Sequence, residues 1–159
     1  MINCTNGGLP ITIVFFGHAR ANFTEEEKTI LRNMLKSEII KNPTCKFYLG
    51  GYGNFDNLCF TNLREFKKEF HTIELLLITP YPYIKSDANN EYSQYDGTLF
   101  PPIESVPKRF AILKRIEWMV SKSNLLKAYV KYPWGGTAKT LEFAERKKIP
   151  YINLANSVH

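Results

Sequence analysis

The feature that most constrains the fold is an alternation of short apolar runs with longer amphipathic segments. The first run, "PITIVFF", is continuous and rich in β-branched and aromatic residues, which is typical of a strand buried on both faces. Strands are predicted at residues 10–16, 45–49, 72–78, 125–132 and 151–154. Such alternation indicates parallel strands joined by right-handed crossovers. We therefore expect an α/β protein, a three-layer α/β/α Rossmann-like sandwich with a mainly parallel five-stranded sheet in the order 3-2-1-4-5.

The segments between the strands have helical periodicity. Helices are predicted over residues 25–41, 55–69, 107–122 and 137–148. Thr24 with Glu27 three residues later forms a capping box at the first of them. Residues 79–105, rich in proline and tyrosine, are predicted to form a long loop or lid. Their tyrosines could stack on a base, or could pack the loop onto the rest of the protein.

Composition narrows the class of protein. The 159 residues favour one domain, 1–159, with the apolar and charged fractions of a soluble globular protein. Cys4, Cys45 and Cys59 form no cluster with histidine, which favours reduced thiols in a cytoplasm and predicts neither a metal nor a cofactor. No apolar run is long enough to span a membrane, and the first residues do not resemble a signal peptide.

The net charge of +6 suits an anionic partner. We judge it too modest for nucleic acid to be the main ligand, and expect a small anionic molecule instead.

Glycines cluster in the turns that follow the predicted strands. The turns are "GHAR" after the first strand, "GGYGNFD" after the second and "PWGGTAK" after the fourth. They contain or adjoin Gly17, Gly50, Gly51, Gly53, Gly135 and Gly136. Ligands of open α/β sheets bind beyond the carboxyl ends of the strands, where the winding direction reverses. The clustering therefore predicts one site at that edge of the sheet.

The stretch "WGGTAKTLE" is the best candidate for a phosphate site. Its glycines would let the backbone approach an anion, and the helix that follows offers unpaired N–H groups. Thr137 could cap the helix or donate to a phosphate, and Lys139 adds a charge. Glu142, one turn further, could contact a ribose or act as a general acid or base. The alternative is a tight turn with nothing bound, in which Glu142 only complements the helix dipole.

The other polar candidates are less specific. His18 and Arg20 follow a buried strand and could meet an anion, although a lone histidine is more often structural. Asp56 could contact the ligand or only cap its helix. Arg115 shares its spacing of seven with Lys108 and Lys122, so periodicity does not distinguish it from them.

Two motifs resemble the SLOG superfamily, which includes LOG phosphoribohydrolases, YpsA-like proteins and the sensor domains of Thoeris antiviral effectors. Residues 112–116 resemble the family helix M-H-x-R-K, with Arg115 in place of its active-site arginine. Gly135, Gly136 and Glu142 match P-G-G-x-G-T-x-x-E, with Glu142 in place of its catalytic glutamate. The chain departs from this pattern at Ala138 and Lys139, which stand where glycine and threonine are expected.

The turns "FFGHAR" and "LGGYGNFD" resemble the small stand-alone YpsA-like SLOG proteins of Firmicutes and their phages, which carry "GHR" and "G-x-x-G-x-D". Ala19 separates His18 from Arg20 here, so either of the two could keep the family role.

The resemblance implies two functions. The first is binding of a nucleotide or an NAD- or ADP-ribose-derived signalling molecule, as a sensor or a sequestering protein in phage defence. The alternative is a LOG-like nucleoside 5′-monophosphate phosphoribohydrolase in which Glu142 and Arg115 are catalytic. A nucleic-acid contact module, as in the related DprA proteins, is a weaker third possibility.

The superfamily also implies a homodimer or higher homo-oligomer, and Lys139 favours binding over turnover. The predicted ligand-binding residues are Gly17, His18, Arg20, Gly50, Gly51, Gly53, Asp56, Arg115, Trp134, Gly135, Gly136, Thr137, Lys139 and Glu142.

Overall fold

The computed structural model describes residues 10–81 and 92–156. In chain order the elements are β1 (Thr12–Gly17), α1 (Glu25–Lys41), β2 (Lys46–Leu49), α2 (Asn54–Glu69), β3 (Glu74–Ile78), β4 (Gly97–Leu99), α3 (Lys108–Lys122), β5 (Leu125–Tyr129), α4 (Gly136–Arg146) and β6 (Tyr151–Asn153). Short 3-10 turns occupy residues 92–94 and 154–156. Among these residues no helix is both long enough and apolar enough to cross a membrane.

The strands form one parallel sheet in the order β4-β3-β2-β1-β5-β6. Val14 at the centre of β1 pairs with Tyr48 of β2 on one side and with Leu126 of β5 on the other. The predicted α/β class and parallel sheet are confirmed, and the observed order contains the predicted one. The predicted number of strands is wrong, because the sheet has six.

The additional strand, β4, lies inside the segment that we predicted to be a loop. It pairs with β3, and the Asp96 carboxylate just before it accepts a hydrogen bond from the Leu75 backbone N–H at 2.7 Å. Lys67 of α2 forms an ion pair with Asp96 at 3.1 Å. Three residues are too few for an alternating pattern, so pairing with β3 defines this strand. Residues 82–91 of the predicted loop, including Tyr83, lie outside the described residues.

Side chains of the central strand alternate between two apolar cores, because successive residues of a strand point to opposite faces. Ile13 and Phe15 pack with the buried faces of α1 and α2. Val14 and Phe16 pack with those of α3 and α4. The sheet is thus the middle layer of three, as predicted.

The course of the chain determines where a ligand can enter. From β1 the chain proceeds outward through β2, β3 and β4, and then returns to place β5 on the opposite side of β1. The loops after β1 and β5 consequently diverge to opposite faces of the sheet and leave a crevice at its carboxyl edge.

Candidate functional site

A cavity of about 640 Å³ lies at the carboxyl ends of β1, β2 and β5. This volume falls within the range of about 300–1,000 Å³ that is usual for small-molecule sites. Nine of the predicted residues line it: Gly17, His18, Gly50, Asp56, Arg115, Trp134, Gly135, Gly136 and Thr137. The three glycine-containing turns therefore do converge on one place.

The remaining predicted residues lie elsewhere. Arg20, Gly51 and Gly53 are not in the cavity wall. Lys139 and Glu142 line a separate depression of about 750 Å³ between α3 and α4, beside Glu117 and Arg146. A role for these five residues in ligand binding or catalysis stays a prediction.

Packing within the protein explains the glycines after β1 and β2. A Cβ on Gly17 would lie 2.7 Å from the ring of Phe55, and one on Gly50 would lie 3.2 Å from the Arg115 guanidinium. Gly53 has φ +94°, and a Cβ there would lie 2.9 Å from the backbone of Ala19. Gly51 has φ +71°. The fold thus needs the room or the dihedral angle at Gly17, Gly51 and Gly53, and a Cβ on Gly50 would crowd Arg115, so these glycines are no evidence of a ligand by themselves.

The two glycines at the start of α4, Gly135 and Gly136, are not crowded by neighbouring atoms. A Cβ on Gly135 or Gly136 would meet no atom within 4 Å. Gly135 has φ +94°, which favours glycine, whereas Gly136 has no positive φ. The first hydrogen bond of α4 joins the Lys139 N–H to the Gly135 carbonyl at 3.1 Å. The N–H groups of the residues between them therefore lack acceptors within the helix. This turn presents open space next to free donors.

Arg115 provides a buried cation in the cavity wall. It is 6% exposed, and its Nη1 donates to the carbonyls of Gly50 at 3.1 Å and Ile78 at 3.4 Å. Its Nε is buried and has no hydrogen-bond partner among the residues that the structure describes. Burial lowers the pKa of Arg115, and the nearby negative charge of Asp56 opposes that shift. A desolvated guanidinium with an unused donor is favourable for an anion.

Asp56 shapes the turn that holds Arg115. Its two carboxylate oxygens accept hydrogen bonds from the backbone N–H groups of Gly50, at 3.0 Å, and Gly51, at 2.8 Å. Burial raises the pKa of Asp56, while these hydrogen bonds and the Arg115 charge counteract the rise. The carboxylate thus stabilises the turn whose Gly50 carbonyl accepts from Arg115. Its contact with a ligand stays a prediction.

His18 joins the three elements around the cavity. Its Nε2 accepts a hydrogen bond from the Lys131 backbone N–H at 2.9 Å, and its Nδ1 lies 3.1 Å from Oγ1 of Thr137 in α4. Burial, and then the charge of Lys131, lowers the pKa of His18. The end of β1, the segment after β5 and the start of α4 are therefore connected through one imidazole.

An aromatic rim borders the cavity. The rings of Tyr132 and Trp134 stack with centroids 5.2 Å apart, although the two residues are 48% and 67% exposed. Tyr52, 73% exposed, also lines the cavity. Of the rim, Trp134 alone was predicted from the sequence, and Arg109 and Thr140 of the wall were not predicted. Tyr52 and Tyr132 lie within or next to the glycine-containing turns, and this position in the sequence could have identified them as residues of the cavity.

The geometry defines a class: a Rossmann-like α/β protein with a cavity at the carboxyl ends of its parallel strands. Within residues 10–81 and 92–156 no group of histidine, cysteine, aspartate and glutamate could hold a metal.

Proteins of two kinds are among the solved structures that share this fold. One is DNA processing protein A, DprA. The protein from Helicobacter pylori, known for a single-stranded DNA binding mode, matches with a TM-score of 0.60 and 13% identity over 93% of this chain and 71% of its own. The protein from Streptococcus pneumoniae gives 0.62 and 10% over 89% of this chain, which spans about half of it, 49%. The other is the Moco carrier protein of Chlamydomonas reinhardtii, with 0.56 and 18% over 92% of this chain and 77% of its own.

These likenesses show a Rossmann-like fold, which is the fold that the predicted superfamily implies. Membership of that superfamily stays a prediction. No protein-family model matches the chain, and no curated protein sequence is significantly similar to it. The narrower resemblance to YpsA-like proteins of Firmicutes stays a prediction.

One expectation needs correction. We expected a small anionic molecule rather than nucleic acid as the main ligand, because the net charge is modest. The match to DprA, a protein that binds single-stranded DNA, overturns that argument, because a nucleic-acid ligand is compatible with this fold. Net charge was a poor guide since it averages over the whole surface, whereas a ligand meets only the local one.

Proposed function

We propose that this protein binds a nucleotide, or an NAD- or ADP-ribose-derived molecule, in the cavity at the carboxyl ends of β1, β2 and β5, as a sensor or a sequestering protein. The observation that carries the proposal is Arg115, a buried guanidinium in the wall of the cavity that the open start of α4 also lines.

Arg115 and the start of α4 line the same cavity, which supports a phosphate as the anionic part of the ligand. The helix start supplies free N–H groups and the positive end of the helix dipole. The open volume at Gly136 allows close approach of an oxygen to the backbone. A fixed cation and oriented amides together favour a phosphate over a weakly charged group.

The rest of the ligand would extend toward the aromatic rim. Tyr132 and Trp134 form a stacked pair that borders the cavity, and much of their apolar ring surface is exposed to water. A planar base stacked on this pair would remove part of that apolar surface from water. A cavity of about 640 Å³ is large enough for more than a phosphate.

Binding is better supported than N-glycosidic hydrolysis. The hydrolase alternative requires the Glu142 carboxylate beside the ribose. Glu142 lines the depression between α3 and α4, and Asp56, the carboxylate that does line the cavity, already accepts two backbone hydrogen bonds. Among the described residues, the cavity is therefore lined by no carboxylate that is free of hydrogen bonds.

Single-stranded nucleic acid is the second candidate ligand. The exposed pair of Tyr132 and Trp134 favours it, because stacking on exposed aromatic rings is a common way to hold unpaired bases. Arg109 in the cavity wall and Lys131 beside the rim add positive charge for a sugar-phosphate backbone.

Calorimetric titration with ADP-ribose, AMP and an oligothymidylate tests both candidates. The discriminating variant is Arg115→Lys, which keeps the charge but loses the planar donor set. We expect it to weaken ADP-ribose binding about 10- to 100-fold, the value of a hydrogen bond to a charged group. Lys108→Met on the exposed part of the same helix is the matched control and should bind as the wild type does.

The outcomes separate the candidates. Tight binding of ADP-ribose with a weak dependence on salt supports the nucleotide proposal. Affinity for the oligonucleotide alone, falling steeply as salt increases, supports the second candidate instead. If none of the three ligands releases or absorbs heat on titration, the proposed site is contradicted. Equal affinities of the Arg115→Lys and Lys108→Met variants for ADP-ribose would contradict it as well.

A further inference from the structure

We propose that His18 is a positioning residue: it accepts from the Lys131 backbone and donates to Thr137, and thereby leaves the Thr137 hydroxyl hydrogen free to donate to the phosphate of the ligand. The inference rests on the proposed function, because it assigns a task at the same site.

The hydrogen bonds of His18 determine its tautomer. The Lys131 N–H is a donor only, so Nε2, at 2.9 Å, must accept and carries no hydrogen. A neutral imidazole then has its hydrogen on Nδ1. That hydrogen is directed at Oγ1 of Thr137, 3.1 Å away. His18 is consequently a donor toward Thr137.

The hydroxyl of Thr137 can donate its own hydrogen to a ligand while its oxygen accepts from His18. An oxygen that accepts from Nδ1–H must turn its own hydrogen in another direction. Thr137 is half-buried, lies in the first turn of α4 and lines the cavity. The backbone N–H groups of that turn have no acceptors within the helix. A phosphate bound to them would accept from the hydroxyl as well.

The surroundings of His18 keep the imidazole neutral. Lys131 faces it from the segment after β5, and the rings of Tyr129 and Tyr132 lie 6.4 Å and 5.1 Å from its centroid. Glu27 of α1 directs its carboxylate to Tyr129 and not to His18. An imidazolium would have no acceptor for Nε2–H, because the Lys131 N–H occupies that position.

This geometry distinguishes positioning from direct charge attraction. If His18 held the phosphate as an imidazolium, affinity would increase on acidification through the histidine range. A neutral positioning residue predicts constant or decreasing affinity from about pH 8 to about pH 6, because protonation breaks the contact with Lys131. ADP-ribose is the suitable probe, since its pyrophosphate keeps its charge over this range.

The experiment combines a double-mutant cycle with a pH profile. We expect His18→Ala and Thr137→Val each to weaken ADP-ribose binding about tenfold, and the double variant to lose no more than either single one. His18→Asn, whose amide can still donate to Thr137, should recover part of the loss. Additive effects of the two substitutions, or affinity that rises toward pH 6, would overturn the inference.

A measurement without ligand makes the test independent of the probe. Nitrogen chemical shifts of His18 in the free protein should show a neutral ring protonated at Nδ1, and protonation at Nε2 overturns the inference. If the wild type binds ADP-ribose but the His18 and Thr137 variants bind it equally well, this inference fails and the proposed function stands. If the wild type binds no probe at all, both fail.

Discussion

Gly136 is a glycine that the fold does not require. It lies in the helical range of α4, has no positive φ and has open space where a Cβ would project. Gly17 and Gly53 differ, because Phe55 and Ala19 occupy the space around them. The proposed phosphate would account for this glycine, because an oxygen that approaches the backbone at Gly136 needs the room.

Replacement of Gly136 by alanine tests whether a bound ligand needs the open space at this position. We expect Gly136→Ala to raise the free energy of unfolding by about 0.5–1 kcal/mol, because alanine restricts the unfolded chain. The same variant should bind ADP-ribose more weakly, because the added methyl group projects toward the phosphate position. Urea denaturation and calorimetric titration measure the two effects.

Gly53→Ala is the control for Gly136→Ala. It should lower the free energy of unfolding, because Gly53 has φ +94° and a Cβ there would meet Ala19 at 2.9 Å. A Gly136→Ala variant that binds as the wild type does would mean that no ligand approaches this part of the backbone.

At the scale of elements, the start of α1 is joined to the sheet through one carboxylate. Glu27 accepts from the Thr24 backbone N–H at 3.0 Å and closes the predicted capping box. Its second oxygen accepts from the Tyr129 hydroxyl of β5 at 2.7 Å. Burial acts to raise the pKa of Glu27, but the hydrogen bonds from Thr24 and Tyr129 and the charge of Lys131 together outweigh it and lower the pKa from its ordinary value.

The lowered pKa of Glu27 predicts a pH-dependent stability. A carboxylate with a depressed pKa in the folded state stabilises above its ordinary value, and that contribution disappears as the pH falls through the folded value. Glu27→Gln keeps a side-chain oxygen for the capping box but removes the negative charge, so we expect it to lower the free energy of unfolding by about 1 kcal/mol near pH 7, the upper value for a charge at the start of a helix. The difference from the wild type should shrink below pH 4.5.

Urea denaturation near pH 7 and again below pH 4.5 measures this difference in the free energy of unfolding, with Glu26→Gln as the control. Glu26 is exposed in the same helical turn, so its replacement should have a small effect. A difference for Glu27→Gln that persists unchanged in acid would refute the pH argument.

At the scale of the whole molecule, a buried ion pair joins the sheet to one helical layer. Lys127 of β5 is 2% exposed, and its Nζ lies 3.3 Å from the carboxylate of Glu38 in α1. Burial lowers the pKa of Lys127, and the Glu38 charge opposes the shift. The ammonium is tolerated inside the protein because this partner is present.

Removal of one partner should therefore be costly. We expect Glu38→Gln to lower the free energy of unfolding by about 3 kcal/mol, because it leaves a buried charge uncompensated. Glu25→Gln, which breaks the exposed pair with Lys28, should cost no more than about 1 kcal/mol. Urea denaturation compares them, and equal costs would show that Lys127 reaches water or another acceptor.

The sequence by itself determined the alternation of strands and helices. Strong local periodicity specifies elements as long as α1 and as apolar as β1. Parallel strands place their carboxyl ends at one edge, so the convergence of the turns containing His18, Gly50 and Gly135 was also predictable. These inferences need only the neighbours of each residue along the chain.

Which residues share the cavity follows from the tertiary packing and not from the local pattern. Arg115 has the same spacing as Lys108 and Lys122, and packing under the Gly50 turn is what buries it. The way α4 packs on the sheet places Glu142 in the depression between α3 and α4. Strand β4 exists through its pairing with β3. The physical reason is the same throughout: these features depend on contacts between residues distant in sequence, which local patterns do not encode.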